Sequence, residues 1–426
     1  MDKIRTKLVR WPVWLAAAGV VVLVVLIYFL SGEFAGRTAW DFVQLGLLLL
    51  TPAALAWGAY WLGRQEREVQ RERLRQEQEA AARLAEVKLQ ESSWQAYLDW
   101  MTKLLEQDRD RLKEDKELQQ AVRLRILTTL RELDGKRRGL LVQFLYEAQL
   151  ISKLPKSLIS LREACLVEAD LRLAKLSRID LTGADLSRAN LSGADLSRGL
   201  LTEANLTEAI LHGTNMRDTD LRKSNLTRAD LRVTNINGAR LGGADLSEAK
   251  LAGAQARWAY LTETRLIEAN LIGANLSESK FNKAKLTKAK LQEADLHRAN
   301  FQEADLSQTE LSGANLADAT LTKANLSGAD LRWAKLKGAK LNETNLSRAD
   351  LSEADLSAAY LPQANLTLAN LSRANLSDAE LRGTDFSGAI FKETKLNRAK
   401  YHQQTKWPRG LNLAKTGAVR LQGEAW

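Results

Sequence analysis

The sequence predicts a β-solenoid, and three observations in this chain of 426 residues lead to that fold class. A leucine-centred unit recurs every five residues from Leu161 to Tyr401, and its phase never changes. A small residue lies two places before each centre, and Asp or Asn most often lies one place before it. The preceding 160 residues show no such period, so a different kind of structure leads into the repeats.

A period of five excludes a single helix or a flat strand. Leucine fills 41 of the 49 centres and alanine fills 36 of the 49 positions two places earlier, so both positions must face a core. On a helix, leucines five residues apart would spread around the whole surface; on a strand they would alternate between its faces. A chain that turns a corner at each unit places them all inside. The expected core includes these residues: Leu186, Leu191, Leu196, Ala184, Ala189 and Ala194.

One centre breaks the pattern, because Ala256 stands where leucine is usual. A leucine replaced by alanine in a core leaves a gap that costs about 2–5 kcal/mol if nothing fills it. The residues 20 places away on either side, Ile236 and Leu276, are not enlarged. The sequence therefore predicts a local loosening at Ala256.

The unit A-[DN]-L-[ST]-x, plain at residues 184–197, resembles the pentapeptide-repeat family over more than half of the chain. The resemblance implies a right-handed quadrilateral β-helix with four pentads in each coil. The pentads would then form about 12 coils, stacked at about 4.8 Å. Residues 94–151 and 401–418 further resemble the helical module and the repeat end of membrane-bound, often cyanobacterial, members. Arg409 departs from that pattern, because an acidic residue often stands there.

Two uncharged stretches near the start, residues 11–30 and 42–63, are each long enough to cross a membrane as a helix. A cleaved signal peptide is the alternative for the first stretch, but its apolar run is long and a second stretch follows at once. Basic residues flank the pair on both outer sides: Lys3, Arg5, Lys7 and Arg10 precede it, and Arg64, Arg67, Arg71, Arg73 and Arg75 follow it. Because positive flanks stay inside, we expect a two-span integral membrane protein of the plasma or thylakoid membrane with both termini in the cytoplasm.

The sequence thus divides into four predicted parts. Residues 1–63 form a transmembrane hairpin, residues 64–155 a cytoplasmic helical linker or cap, residues 156–401 the β-helix and residues 402–426 a C-terminal cap or tail. Apolar stripes at helical spacing mark the helical part, and Gly135 is expected to stop one of its helices. These helices would cover the first coil, whose backbone groups would otherwise lack partners.

Composition argues against several function classes. The net charge is +10, but the repeats contribute only +2 of it, so no nucleic-acid partner is expected. The single cysteine, Cys165, excludes an intrachain disulfide. Each of His212, His297 and His402 falls one place after a centre, which is an outward position, and they lie too far apart for a metal site or a catalytic triad. No phosphate-binding or dinucleotide-binding motif appears, so we expect no catalytic residue, no metal and no cofactor.

Two surface anomalies form the candidate interaction surface. Four aromatic residues occupy outward positions: Trp258, Tyr260, Trp333 and Tyr360. The basic residues form two groups: Lys280, Lys283, Lys285, Lys288 and Lys290, then Lys335, Lys337 and Lys340. Outward tryptophan can mark a binding site, but edge packing explains it too, and acidic neighbours on adjacent coils can balance the lysines.

These features favour a scaffold over an enzyme. The leading hypothesis is a non-catalytic, membrane-anchored scaffold or adaptor that binds an unknown cytoplasmic protein. Resemblance to membrane-anchored relatives also suggests a factor in envelope or glycolipid deposition. A DNA-mimic inhibitor of a type II topoisomerase is the third hypothesis, and the near-neutral repeats argue against it. The sequence leaves the partner and a homo-oligomeric state open.

Overall fold

The computed structural model describes residues 39–151 and 157–421. The chain divides into two compact units, Met1–Leu89 and Gln90–Trp426. The first described helix, α1, spans Ala39–Gln107 and therefore contributes to both units.

The predicted membrane spans are not supported by the structure. Residues 11–30 lie outside the described residues, and residues 42–63 fall within α1. Among the helices of the described part, none combines the length and the apolar character that crossing a membrane requires. Several large apolar side chains of this part of α1 are nevertheless exposed: Leu48, Leu55, Trp57, Tyr60, Trp61 and Leu62.

Three further helices follow α1 before the repeats: α2 (Arg109–Glu114), α3 (Lys116–Glu132) and α4 (Gly135–Glu147). Asp115 caps α3 by accepting hydrogen bonds from the amides of Glu117 and Leu118. The helices bury one apolar cluster: Met101, Leu112, Ile126, Leu130, Leu141 and Leu145. The expectation that Gly135 stops a helix is wrong, because Leu133 and Asp134 separate α3 from α4 and Gly135 is the first residue of α4.

Each pentad of the repeats makes one tight turn and two hydrogen bonds to neighbouring coils. In one pentad, the Ala189 amide donates to the Leu186 carbonyl across the turn (3.0 Å). The Leu186 amide donates to the Asn205 carbonyl on the next coil (2.7 Å), and the Asp185 amide donates to the Ala164 carbonyl on the preceding coil (2.9 Å). Parallel bridges join residues 20 apart, as at Cys165 and Asp185. Four pentads therefore complete one coil.

The core is a stack of inward-facing centres and small residues. Every centre from Leu161 to Phe386 is buried, as is the small residue that precedes each of them by two places. Two phenylalanines one coil apart, Phe281 and Phe301, stack with ring centroids 4.6 Å apart. Where threonine replaces the small alanine, its hydroxyl donates to a carbonyl of the preceding coil, as Thr214 does to Leu191 (2.8 Å). The polar group is thus satisfied inside the core.

The third residue of every turn has a left-handed backbone, whatever its side chain. The φ angle is 60° at Glu203, 58° at Lys223 and 57° at Trp258, much like the 66° of Gly193. The residue before each centre supports the turn, as expected for Asp and Asn. The Ser187 amide donates to Oδ1 of Asp185 (3.0 Å). Since most corners lack glycine, the turn is set by the fold and not by glycine at the corner.

Helices α3 and α4 cover the first coil. The Asp170 amide donates to the Gly135 carbonyl (2.9 Å), and the Arg123 side chain donates to the carbonyl of Arg162 (2.9 Å). Tyr146 places its hydroxyl 3.1 Å from the Ser177 carbonyl. Backbone groups that the preceding coil would have satisfied are therefore bonded to the helices.

The C-terminal segment closes the other end with a shortened coil. Strand β1 (Lys400–Tyr401) pairs in parallel with β2 (Val419–Arg420), only 19 residues later. A 3-10 turn at Leu413–Lys415 lies between them. Trp407 packs against Phe386 with ring centroids 5.1 Å apart. Aromatic side chains thus cover the last leucines of the core.

The predicted loosening at Ala256 is wrong for the backbone. The Ala256 amide lies 2.7 Å from the Asn275 carbonyl, the same distance as at the leucine centres. The Gln255 amide donates to the Thr234 carbonyl at 2.9 Å. The coil keeps its spacing because these bonds do not depend on the size of the inward side chain.

We predict that Gly139→Ala weakens the docking of α4 on the first coil. A Cβ at Gly139 would overlap the Asp170 carbonyl, so the helix must move away. Overpacking of this kind costs about 1–3 kcal/mol. Thermal unfolding and amide hydrogen exchange at residues 164–170 would measure the loss. Gly58→Ala is the matched control, since a Cβ there meets no atom within 4 Å. Unchanged exchange in Gly139→Ala would contradict the cap.

We predict that Ala358→Gly stabilises the β-helix. Ala358 holds a left-handed backbone with φ 55°, which glycine adopts without steric cost. The net gain should be about 0.5–1 kcal/mol in the free energy of unfolding. The neighbouring Ala359→Gly is the matched control and should destabilise, because it removes a buried methyl group. A loss of stability in both variants would show that the corners carry no strain.

Candidate interaction surface

The outer surface is organised in columns, because residues 20 apart lie one above the other. We number four faces by their centres. Face 1 has its centres at Leu161 and every twentieth residue after it, and faces 2, 3 and 4 begin in the same way at Leu166, Leu171 and Leu176. In each pentad the position before the centre and the two positions after it reach the surface. Every surface side chain therefore has neighbours one coil before and one coil after.

Many charges at the corners pair along these columns. On face 1 the corner residues alternate in sign, and Lys223 lies 3.8 Å from Glu203 while Lys323 lies 3.6 Å from Glu343. On face 4, Arg398 lies 2.7 Å from Asp378. These pairs are exposed, so each one adds little stability. Their effect on the surface is larger, because they leave few charges available for an outside partner.

The structure spreads the predicted basic residues over all four faces. Lys280 and Lys340 lie on face 1, Lys285 on face 2, Lys290 on face 3 and Lys335 on face 4. Lys283, from the same run, lies 3.9 Å from Glu303 on the next coil. The lysines therefore do not form one patch, although they are close together in the sequence.

The four aromatic residues are exposed, but only two of them lie together. Trp258 is at the corner between faces 4 and 1, and Tyr260 is two residues later on face 1. Trp333 lies on a corner of face 3, and Tyr360 lies on face 1, one coil after Lys340. Arginine guanidinium groups cover Trp258 at 4.3 Å and Trp333 at 5.3 Å from the ring centroid.

Trp258 and Tyr260 form one end of a surface depression of about 810 Å³. Gly199, Leu200 and Gly238 also line it, and two of these three positions carry no side chain. The corner is therefore recessed where other coils carry a long charged residue.

Three arginines and two aspartates surround the same depression: Arg198, Arg217, Arg240, Asp218 and Asp220. Asp218 lies 3.5 Å from Arg217 and 3.9 Å from Arg198. Asp220 is held instead by Arg222, at 2.6 Å.

Burial tends to raise the pKa of Asp220, but its hydrogen bonds to Arg222 outweigh burial and lower that pKa. Both aspartates are thus engaged. The arginines leave a net positive charge on the site.

Sequence reasoning identified the two aromatic residues but missed the rest of this site. The arginines and glycines become neighbours only when the chain is aligned in rows of 20, which was the available signal. The same alignment reveals a row of exposed aliphatic residues on face 3: Leu173, Ile210, Val233 and Ile272. Leu140 of α4 is exposed and lines a depression with Leu173.

The residues set aside as non-catalytic take the following positions. Cys165 is part-buried in the column of Asp and Asn residues on face 2. His212 is exposed and His297 is intermediate, whereas His402 is buried, so its predicted outward position is wrong. The reason is that the chain leaves the five-residue period after Tyr401, and the Thr405 amide donates to the His402 carbonyl. Within residues 39–151 and 157–421, no cluster of side chains could hold a metal ion.

These features define a solenoid protein whose sides are closed by coil-to-coil hydrogen bonds and whose specificity lies in columns of side chains. The profile described as Pentapeptide repeats matches seven stretches that together exceed half of the chain: 164–202, 200–238, 224–262, 259–298, 299–338, 329–367 and 369–400. The chain belongs to the pentapeptide-repeat family, whose members form right-handed β-helices.

Several solved structures are similar to the repeats. HetL from Nostoc, a pentapeptide repeat protein involved in heterocyst differentiation regulation, is 34% identical over 53% of this chain and 88% of its own, with a TM-score of 0.26. Rfr23 from Cyanothece is 42% identical over 23% of this chain and 63% of its own, with a TM-score of 0.21. QnrB1, a plasmid-mediated fluoroquinolone resistance protein, is 16% identical over 52% of this chain and 89% of its own, with a TM-score of 0.24. No curated protein matches the chain. The family assignment rests on the repeats and not on these superpositions.

We predict that paired aspartates on face 3 make the β-helix less stable in acid. Hydrogen bonds from Arg232 and Arg332 lower the pKa of Asp230 and of Asp330. A carboxyl whose pKa is lower in the folded chain stabilises the fold above about pH 4 and loses that effect as the pH falls through its folded-state pKa.

The double variant Asp230→Asn with Asp330→Asn should therefore lose less stability between pH 5 and pH 2 than the unmodified protein. Asparagine keeps the side-chain oxygen that accepts from the backbone. Arg232→Gln with Arg332→Gln is the reciprocal variant and should flatten the profile in the same way. Thermal unfolding across the pH range measures both, and parallel profiles for all three proteins would refute the prediction.

Proposed function

We propose that this protein is a non-catalytic scaffold or adaptor that holds a partner protein on the surface of its β-helix. The depression bounded by Trp258 and Tyr260 carries this proposal. It joins exposed aromatic groups to unbalanced positive charge on a surface where ion pairs satisfy many of the other charges. Pentapeptide repeat proteins are generally structural or interaction proteins, which supports the same function.

The proposal includes attachment to a membrane, with the β-helix on its cytoplasmic side. Its support is the composition of residues 11–30 and 42–63, the basic residues on their outer flanks, and the exposed apolar side chains of α1 between Leu48 and Leu62. Water solvates such a row of apolar groups poorly. The charge bias of the flanks places both termini on the cytoplasmic side.

The charge pattern argues against mimicry of DNA. A DNA mimic needs columns of negative charge, whereas the corners of face 1 alternate between Glu and Lys. The depression at Trp258 also has an excess of arginine. A role in envelope or glycolipid deposition would use the same scaffold, so it concerns the process served and not a different molecular activity.

Site-specific photocrosslinking in cells tests the scaffold. The crosslinking residue p-benzoylphenylalanine would replace Tyr260 on face 1, Arg348 on face 2 or Trp333 on face 3, one at a time. We expect a protein adduct of one defined mass at one of these positions, because a scaffold holds its partner in a fixed place. The absence of adducts at all three positions, with the full chain present in the membrane fraction, would refute the scaffold. Recovery of the full chain from the soluble fraction would refute the membrane attachment alone.

A further inference from the structure

We propose that the depression at the corner of faces 4 and 1 binds a short, extended, acidic segment of a protein, with an apolar side chain of that segment packed against Trp258. This inference rests on the proposed scaffold function and names the chemistry of its partner.

The shape of the site fits an extended peptide. The depression runs across four successive coils, from Arg198 to Trp258. Coils stack about 4.8 Å apart and an extended chain rises about 3.3 Å per residue, so roughly four or five residues span it. Gly199 and Gly238 recess the floor, and Leu200 provides an apolar contact within it.

The backbone of the β-helix cannot take part in this binding. At the site, the Leu200 amide donates to the Ile179 carbonyl, and the Leu201 amide donates to the Asp220 carbonyl. The Tyr260 amide likewise donates to the Ala239 carbonyl. A partner therefore finds no open sheet edge to extend, and recognition must come from side chains.

The charges select a carboxylate. Arg240 is exposed and makes no ion pair within the described part of the chain, although it lies between Asp220 and Tyr260 in its column. Arg198 and Arg217 share a single aspartate, Asp218, at distances that leave their guanidinium groups free to reorient. A carboxylate accepts two parallel hydrogen bonds from one guanidinium group, which makes arginine a selective partner for it.

The aromatic groups select an apolar side chain beside that carboxylate. Trp258 is 48% exposed although Arg257 covers one part of its ring. Tyr260 is 45% exposed and has the Lys280 ammonium 4.7 Å from its ring centroid. Exposed tryptophan and tyrosine next to arginine are typical of the residues that dominate protein interfaces. The two aspartates disfavour a ligand with dense negative charge, such as a polyphosphate or a nucleic acid.

Fluorescence anisotropy with the full chain tests this inference. The probe is a fluorescein-labelled peptide of sequence Asp-Glu-Leu-Glu-Asp, and a second peptide with Asn and Gln at the acidic positions is its neutral counterpart. We expect the acidic peptide to bind and to lose affinity about tenfold with Arg240→Glu and with Trp258→Ala. The neutral peptide should bind at least about tenfold more weakly, because each charge-assisted bond is lost.

Two variants elsewhere on the β-helix serve as matched controls. Arg348→Glu removes an exposed arginine of face 2 that, like Arg240, makes no ion pair with any described residue. Trp333→Ala removes a corner tryptophan that also lies under an arginine. Both should leave the affinity unchanged. Thermal unfolding confirms that each variant remains folded.

Three outcomes would overturn the inference. They are the absence of binding by the acidic peptide, an equal loss in the control variants, and binding of vesicles containing phosphatidylglycerol in place of the peptide. A crosslinked partner at Trp333 or Arg348 but not at Tyr260, together with the absence of peptide binding, would refute this site and leave the scaffold function intact. The absence of any crosslinked partner would refute the scaffold itself.

Discussion

The tight turn repeated in every pentad is the constraint on which the rest of the structure depends. Its third residue must adopt a left-handed backbone, and the chain accepts Glu, Lys, Arg or even Trp there at some steric cost. In return, each turn directs one leucine and one small residue inward and aligns its amide groups with the next coil. The closed core, the regular spacing and the surface columns all follow from that one conformation. A side chain that is too small, such as Ala256, leaves the spacing unchanged because the turn does not depend on it.

The sequence allowed the core to be predicted residue by residue, because a strict five-residue period admits one inward position for each leucine. Leu186, Leu191 and Leu196 are all buried as expected. The ends were harder to predict, since they depart from the period. His402 was expected to face outward, yet it is buried where the last coil is shortened. Gly135 was expected to end a helix, whereas it begins one, because its small size is needed for close packing against Glu168.

The candidate site shows the same division between local and long-range information. Trp258 and Tyr260 stand out in the sequence because large aromatic residues are unusual at outward positions. Their neighbours Arg198, Arg217 and Arg240 are ordinary repeat residues whose importance comes from being stacked one, two or three coils away. The basic run that looked like a patch is dispersed, because five residues of sequence move the chain to the next face. Proximity in sequence and proximity in space are thus different properties in this fold.

The 20-residue coil also makes the surface sensitive to the phase of the sequence. Loss of a single pentad would keep every leucine inside and every hydrogen bond formed. It would nevertheless rotate all later side chains onto the adjoining face, separating Trp258 from the arginines that precede it. Loss of four pentads would shorten the stack and restore the alignment. The core therefore tolerates steps of five residues, whereas any binding surface that extends over several coils tolerates only steps of twenty.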